Sequence, residues 1–431
     1  MPAVEQAIAE IRRKHAPILP TGLERTYNFM RKLGDPHLRL PPVFHAAGTN
    51  GKGSSLAFLQ AIFEAGGLSV HKFTSPHLVR FEERIVIGGK TIDNDLLLDL
   101  ISECDRAAGD EIVSFFEFFT GLSFLAYSRF GADTVLLETG LGGTYDATNV
   151  LERNIAMLTR ISFDHMRLLG NSLSEIAQNK AGIVKKGCSV VIAPQSGEGV
   201  MDVFATRIAE TGAKASIGGV DWKTRAEGAS FFYEGPLFGA QLPAPRLLGE
   251  HQVTNAGTAI AAIEQSDFRQ LLKQDVIAKA MQSVEWPGRM QRLEKGFLAD
   301  LLPQGWELWV DGAHNDSGAE VIAQQAASWG KSMPLHIITG FKRKKEPDGF
   351  FQKLVGLPET IQAVDAQIDA PMVSADELCA YLRQIGFTRA SPAPNLESAI
   401  KSLIFQFNAP QRIIITGSLY LVGLALKQNN S

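Results

Sequence analysis

The sequence has little cysteine. Cys104, Cys188 and Cys379 are scattered through 431 residues with no C-x-x-C pair. That odd, dispersed set excludes a disulfide framework and a cysteine-based zinc site, and it fits small buried thiols in a reducing compartment. Long hydrophobic runs are also missing. No window of about 18 apolar residues occurs, so no membrane-spanning helix is predicted. The opening stretch MPAVEQAIAEIRRKH is a charged amphipathic helix pattern without the apolar core of a secretory signal. Neither sign of charge is in excess, since 42 Lys and Arg stand against 46 Asp and Glu, which argues against a dominant nucleic-acid surface. Repeats and low-complexity segments are absent as well. What remains is an ordinary globular composition, 45% hydrophobic and 20% charged, long enough for two or three domains. The cytoplasm is the expected location, with no nucleic-acid or membrane partner.

Short β-rich apolar runs alternate with helical patterns. Val43–Ala47 reads as a strand followed by a glycine loop, and Ser54–Ala65 as a helix that stops at Gly66-Gly67. Leu68–Phe73 is a further apolar run. Thr134–Leu137, Ile155–Thr159 and Ser189–Ala193 read as buried strands, and Ser114–Phe130 as a largely buried helix. This order predicts an α/β fold, a mostly parallel sheet with helices on both faces. Residues 215–250, dense in Gly, Pro and aromatics, predict short antiparallel strands or loops, and helical spacing returns at His251–Glu264. Past Trp286-Pro287-Gly288 a second alternating series begins, with strands Leu308–Asp311, Leu335–Thr339, Ile361–Val364 and Arg412–Thr416 and helices Ser317–Trp329 and Asn395–Phe407 between them. The prediction is a P-loop-type domain over 1–287 and a smaller Rossmann-like α/β domain over 288–431.

The loop after the first strand reads AAGTNGKGSS, residues 46–55. Gly48, Gly51 and Gly53 would let backbone amides approach phosphate oxygens, and the following helix adds its N-terminal dipole. Lys52 would reach the β- and γ-phosphates, and the Ser54 hydroxyl a phosphate or Mg²⁺. The strict pattern G-x-x-x-x-G-K-[ST] fails twice. Ala46 takes the place of the first glycine, and Gly53 separates Lys52 from Ser54. The competing reading is a glycine-rich turn with an exposed lysine.

Polar residues gather where strands end. Glu138 follows Thr134–Leu137 at the C-terminal edge of the sheet, where α/β ligands bind, and a hard oxygen donor there suits Mg²⁺. Asp164-His165 and Ser75 with His77 fall at the same edge, so Ser54, Ser75, Glu138 and His165 are expected to converge on a metal. Lys180, near the end of a helical pattern, reads from spacing alone as a C-terminal cation favoured by the helix dipole. In the second series, Asp311 and His314 follow a strand, and Asp311 suits ribose hydroxyls. Both domains are thus expected to present polar residues to one ATP cleft.

Taken in order, Gly22-Leu-Glu-Arg25, GTNGKGS (48–54), TSPHL (74–78), Phe116-Glu117, ETGLGGTYDATNV (138–150), Asp164-His165, Lys180–Ile183, His251-Gln252 with Asn255-Ala256, WPGR (286–289), DGAHN (311–315) and GSLYLVG (417–423) resemble the folylpolyglutamate synthase/dihydrofolate synthase family, within the Mur-ligase-like amide ligases. The extra glycine is that family's own form of the P-loop. The resemblance implies an ADP-forming carboxylate–amine ligase. ATP would phosphorylate a substrate carboxylate, and L-glutamate would attack the acyl phosphate, with dihydropteroate and reduced folates as acceptors. It assigns catalytic roles to Lys52, His165 and Lys180. It assigns ATP contacts to Gly48, Asn50, Gly51, Lys52, Gly53, Ser54, Asn255, Arg289, Asp311 and His314. Ser75, Glu138 and His165 would bind Mg²⁺, and a carbamylated Lys180 a second Mg²⁺, with K⁺ as a possible further ion. Thr21, Gly22, Leu23, Phe116, Tyr145, Asp146 and Ala147 match the pterin-substrate region, where Phe116 would stack on the pterin and Asp146 hydrogen-bond its ring. A monomer is implied.

The family pattern is broken at four places: Thr144 where Arg is usual, Asn179 where Glu is usual, Asp316 where Pro is usual, and the stretch Lys344-Lys345-Glu346 where Asp-Lys-Asp is usual. The basic run Lys342–Lys345 reads as a solvated loop or as an attractor of glutamate carboxylates. Three other readings are a monofunctional folylpolyglutamate synthase, a Mur-type cell-wall ligase, and a diverged paralogue that binds nucleotide without turnover. The cell-wall reading expects an additional N-terminal domain, for which the 47 residues before Gly48 leave no room.

Overall fold

A computed structural model describes residues 3–15, 22–330, 332–343, 347–366 and 371–431. It divides into two compact units, one of Met1–Arg246 with Gln252–Glu285 and the other of Leu247–His251 with Trp286–Ser431. No helix among the described residues is long and apolar enough to cross a membrane. All three cysteines are free and buried.

The first unit is built on β1 (Val43–Ala47), β2 (Val70–Phe73), β3 (Ile85–Ile87), β4 (Lys90–Thr91), β5 (Thr134–Glu138), β6 (Ile155–Leu158), β7 (Ser189–Ile192) and β8 (Lys214–Ile217). Their order in the sheet is β4-β3-β2-β5-β1-β6-β7-β8. β2, β5, β1, β6, β7 and β8 run parallel, with β3 and β4 as an antiparallel edge. Every residue of β1 and β5 is buried, as expected of strands covered on both faces. Alternation sends Val135 and Leu137 into an aromatic cluster with Phe118, Phe119 and Phe124 of the helix Phe115–Arg129. Ser114 caps that helix and Glu117 reaches back to complete a capping box.

Strand order also sets where ligands bind. The connection leaving β1 runs to β2 on one side, whereas β6 leads to β7 on the other. The loops following β1 and β6 therefore diverge, and the crevice between them is a topological switch point.

Most expected elements are found, with shifted ends. The helix Lys52–Ala65 starts two residues before the expected Ser54, because Gly51 adopts a left-handed φ of 92° and turns the chain directly into the helix. Of the strands expected across 215–250, β8 joins the main sheet, while β9 (Lys223–Glu227), β10 (Ser230–Glu234) and β11 (Gly239–Pro243) form a separate antiparallel sheet.

The second unit holds β12 (Gln291–Leu293), β13 (Glu307–Val310), β14 (Leu335–Thr339), β15 (Thr360–Val364), β16 (Ala390–Ala393) and β17 (Arg412–Thr416) in the order β12-β13-β17-β14-β15-β16. All neighbours are parallel except β12 against β13. β12 and β16 were not expected. The first has three residues, and the second contains Pro392, which an edge strand tolerates.

Phe118 is fully buried, with ring contacts to Phe29 at 5.9 Å and His15 at 5.1 Å. Phe118→Ala should lower stability by about 3–5 kcal/mol in urea unfolding. Phe405→Ala, at a side chain 90% exposed, should stay within about 0.5 kcal/mol.

Candidate active site

Close packing makes the phosphate-type loop possible. A Cβ on Gly48 would stand 1.9 Å from Thr159 Oγ1, and one on Gly51 2.6 Å from Asn255 Oδ1. The loop is stapled to the segment after β6. Thr49 N and Asn50 N donate to the Arg160 carbonyl at 2.9 and 3.2 Å. Thr49 Oγ1 donates to the Ser162 carbonyl at 2.9 Å, and Asn50 Nδ2 to Ser162 Oγ at 3.1 Å. Gly53 and Ser54 lie in the first turn of the helix Lys52–Ala65.

Two lysines meet on this loop. Lys52 Nζ donates to the Gly48 carbonyl at 3.0 Å and to that of Thr49 at 3.4 Å. Lys180 Nζ donates to the same Gly48 carbonyl at 2.9 Å. The Lys180 side chain is 5% exposed. Lys180 stands in the last turn of the helix Leu173–Ala181, as its spacing predicts, and that turn faces inward. Burial pushes its ammonium down to about 7, helped by repulsion from Lys52 and opposed by Asp164, Asp146 and Glu138.

Glu138, the last residue of β5, is buried. Its Oε2 accepts from Ser75 N at 3.2 Å, and its Oε1 lies 3.8 Å from Lys52 Nζ. His165 takes a left-handed φ of 53°, donates its amide to Asp164 Oδ1 at 2.8 Å, and leaves its ring about half exposed. Among the described residues, no three His, Cys, Asp or Glu side chains are grouped to hold a metal ion. One carboxylate beside Ser75 and Lys52 fits Mg²⁺, which keeps several waters and binds through one or two carboxylates plus substrate phosphates.

The loop after β5 packs against two helices. A Cβ on Gly140 would stand 2.5 Å from Phe116 Cζ, and one on Gly143 2.7 Å from the Lys180 carbonyl oxygen. Gly143 N donates to Asn179 Oδ1 at 3.1 Å, and Thr144 N and Oγ1 both donate to the Asn179 carbonyl at 2.8 Å. The departures Thr144 and Asn179 are thus direct neighbours. Tyr145 is exposed, whereas Asp146 and Ala147 are buried. Asp146 is tied into its own loop. Its Oδ2 accepts from Gly140 N and Leu141 N, and its Oδ1 from Thr148. Leu23 packs against the aromatic cluster. Beside it, Arg25 pairs with Glu117 at 3.1 Å, and Gly22 precedes the same helix. Thr21 and residues 344–346 lie outside the described residues. Lys342 Nζ sits 4.2 Å from the Tyr420 ring centre, a cation–π contact.

Within the second unit, Arg289, Asp311 and His314 are brought together past the end of β13. Asp311 is buried; Oδ2 accepts from Met290 N and Oδ1 from Ala313 N, both at 2.8 Å. Burial raises its pKa, with Arg289 the largest opposing influence. A Cβ on Gly312 would meet Arg289 Nη1 at 2.5 Å, and His314 Nδ1 lies 2.7 Å from the Gly312 carbonyl. Asp316 opens the helix Asp316–Trp329, where an acid in the first turn suits the dipole. Thr159, Arg160 and Ser162, which staple the loop, escaped sequence reasoning because nothing in their spacing marks them.

A lysine whose folded pKa lies below its ordinary 10.5 opposes folding fully below about pH 7. Between there and 10.5 only the unfolded chain holds the proton, so stability rises with pH. In CO₂-free buffer, Lys180→Met should stabilise the protein at pH 6 by on the order of a few kcal/mol. That advantage should shrink as the pH approaches 10, followed by urea unfolding.

A family model described as dihydrofolate synthetase, C-terminal domain, matches residues 298–428. The chain is 30% identical to the dihydrofolate synthase/folylpolyglutamate synthase of Escherichia coli K12 over 340 residues, covering 78% of this chain and 75% of that protein. It is 28% identical to a probable bifunctional folylpolyglutamate synthase/dihydropteroate synthase of Halobacterium salinarum, covering 96% of this chain and only 50% of that protein. Among solved structures, E. coli FolC in complex with DHPP and ADP superposes with a TM-score of 0.88 at 25% identity, over 98% and 97% of the two chains. A bifunctional folylpolyglutamate synthase/dihydrofolate synthase with Mn, AMPPNP and L-glutamate bound gives 0.84 at 26%, over 98% and 97%. With its phosphate-type loop at the switch point and this breadth of similarity, the chain belongs to the folylpolyglutamate synthase/dihydrofolate synthase family of ATP-dependent ligases.

Proposed function

We propose that this protein joins L-glutamate to dihydropteroate, and to the γ-carboxylate of reduced folates, through an acyl phosphate. The observation that carries the reading is the pair of ammonium groups, Lys52 and Lys180, on the Gly48 carbonyl, with Glu138 beside Lys52. A lysine ammonium at a helix N-terminus suits a triphosphate.

The γ-phosphoryl group of ATP passes to the acceptor carboxylate, and ADP leaves. The glutamate amine, after losing its proton, attacks the activated carbonyl; the C–N bond forms and phosphate departs with the C–O electron pair. The amides of Gly51, Gly53 and Ser54 cradle phosphate oxygens, with Gly48 and Asn50 shaping the loop. Lys52 exchanges its carbonyl partners for the β- and γ-phosphates and stabilises the charge that develops on transfer. Ser75, Glu138 and His165 would hold Mg²⁺, which supplies charge neutralisation on the phosphates when bound. Asn255, Arg289, Asp311 and His314 are proposed nucleotide contacts. Holding acyl phosphate and amine together favours amide formation over hydrolysis.

Lys180 is proposed to carry a carbamate. Its depressed pKa leaves much of the amine neutral near pH 7 and able to attack CO₂, releasing one proton. The product is an anion that would hold a second Mg²⁺ and end the repulsion from Lys52. Gly22, Leu23, Phe116, Tyr145, Asp146 and Ala147, with Thr21, are proposed to form the pterin region. K⁺ use, a monomeric state and a cytoplasmic location complete the proposal.

Purified protein with Mg-ATP, K⁺, bicarbonate and L-glutamate should release ADP with either dihydropteroate or tetrahydrofolate and yield one-glutamate adducts by mass spectrometry. Turnover of tetrahydrofolate alone would make it a monofunctional folylpolyglutamate synthase. Measurable ATP binding without turnover would favour the diverged paralogue. Lys52→Ala should lower kcat at least about a hundredfold with an unchanged circular dichroism spectrum.

A further inference from the structure

Peptide groups that run past the end of a sheet need partners other than the ladder. The ladder between β6 and β7 closes where Ala193 N donates to the Leu158 carbonyl at 2.9 Å. Beyond it, the segment 159–161 is met by a side chain instead of a strand. Gln195 stands three residues past the end of β7. Its Oε1 accepts from Ile161 N at 3.0 Å, and its Nε2 donates to the Thr159 carbonyl at 3.2 Å and to the Ala193 carbonyl at 2.9 Å. In a parallel ladder, one residue donates to the carbonyl before its partner and accepts from the amide after it. The Gln195 amide does the same about Arg160, so it stands in for one more residue of β7. Both of its N–H groups are used.

The carbonyl between those two contacts belongs to Arg160, and it serves the phosphate loop. It accepts from Thr49 N at 2.9 Å and from Asn50 N at 3.2 Å, which fills both of its lone pairs. The next residue adds a reciprocal pair. Ser162 N donates to Thr49 Oγ1 at 3.1 Å, and that hydroxyl donates to the Ser162 carbonyl at 2.9 Å. Thr49 and Asn50 stand between Gly48, which packs on Thr159, and Gly51, where the helix Lys52–Ala65 begins. The height of these two amides therefore follows the Arg160 peptide, and that peptide is held from behind by one glutamine. None of the three Gln195 bonds goes to the loop after β5.

We propose that Gln195 is a positioning residue for the nucleotide. It fixes the Arg160 peptide and, through that carbonyl, the amides of Thr49 and Asn50, so that the phosphate loop is set before ATP arrives. The proposal rests on the ligase reading given above, and only on its ATP half.

The test uses Gln195→Met, which keeps the length and removes all three bonds, and Gln195→Glu, which keeps the size but turns a carboxylate oxygen toward the Thr159 and Ala193 carbonyls. Gln195→Met should raise the KM for ATP, and the Kd for a non-hydrolysable ATP analogue with Mg²⁺, about tenfold. The KM values for dihydropteroate and L-glutamate should stay within about twofold. Gln195→Glu should bind the analogue at least as weakly as Gln195→Met. Combining Gln195→Met with Thr49→Val should cost less than the sum of the two single changes, as for residues that act through one segment. Amide hydrogen exchange reads the loop without nucleotide or turnover. In Gln195→Met, Thr49 and Asn50 should exchange at least about tenfold faster, while Leu56–Ile62 of the following helix keep wild-type protection. Unchanged exchange at Thr49 and Asn50 would overturn the proposal. So would parallel rises in all three KM values with a lowered unfolding midpoint, the mark of a purely structural role. If the exchange result holds but the wild type binds no nucleotide, the ligase reading fails and not the hold of Gln195 on the loop.

Discussion

The Gly48 carbonyl accepts from two ammonium groups at 3.0 and 2.9 Å, and the rest of the active-site architecture answers to that arrangement. Two cations so close repel one another, and one of them is cut off from water. Glu138 offsets Lys52, and Asp164, Asp146 and Glu138 all act on Lys180. Lys52 is the cation placed where a helix begins and two strand connections diverge. An incoming polyphosphate therefore meets charge that is already placed, with little reorganisation left for the reaction itself.

Thr144 and Asn179 illustrate how such a site tolerates change. The resemblance leads one to expect Arg and Glu at these places. Here two uncharged side chains sit side by side, with the loop fastened by hydrogen bonds to Asn179. Losing one member of an oppositely charged pair would leave the other stranded near Lys180. Losing both keeps the charge around that lysine unchanged. Seen together, the two departures are compatible with a working site, and they weaken the case for a diverged, inactive relative.

Much of this was legible from sequence for definite reasons. Val43–Ala47 and the buried strands announce themselves by apolar runs, and the glycines of residues 48–53 mark a loop that backbone must enter closely. Glu138 was placed correctly because a strand's last residue can be counted. Depth was harder. Helical spacing puts Lys180 on a helix end but does not say that the end is turned into the core. The His in VFHAA looks like an interruption in a strand, and its partner Thr148 lies 103 residues away. Asp146 was singled out from sequence, but its hydrogen bonds to its own loop show only in three dimensions. Strands β12 and β16 were missed because one is too short to show a period and the other contains a proline.

The eight- and six-stranded sheets are open, and open sheets risk growing by adding strands from other molecules. The outer strand β4 has two exposed residues, one of them Lys90, and β16 carries Pro392, which lacks an amide hydrogen. Each offers a neighbour too few free donors, or too much hydration, to start a ladder. Strands this apolar and parallel are thereby guarded against strand addition at one margin of each sheet.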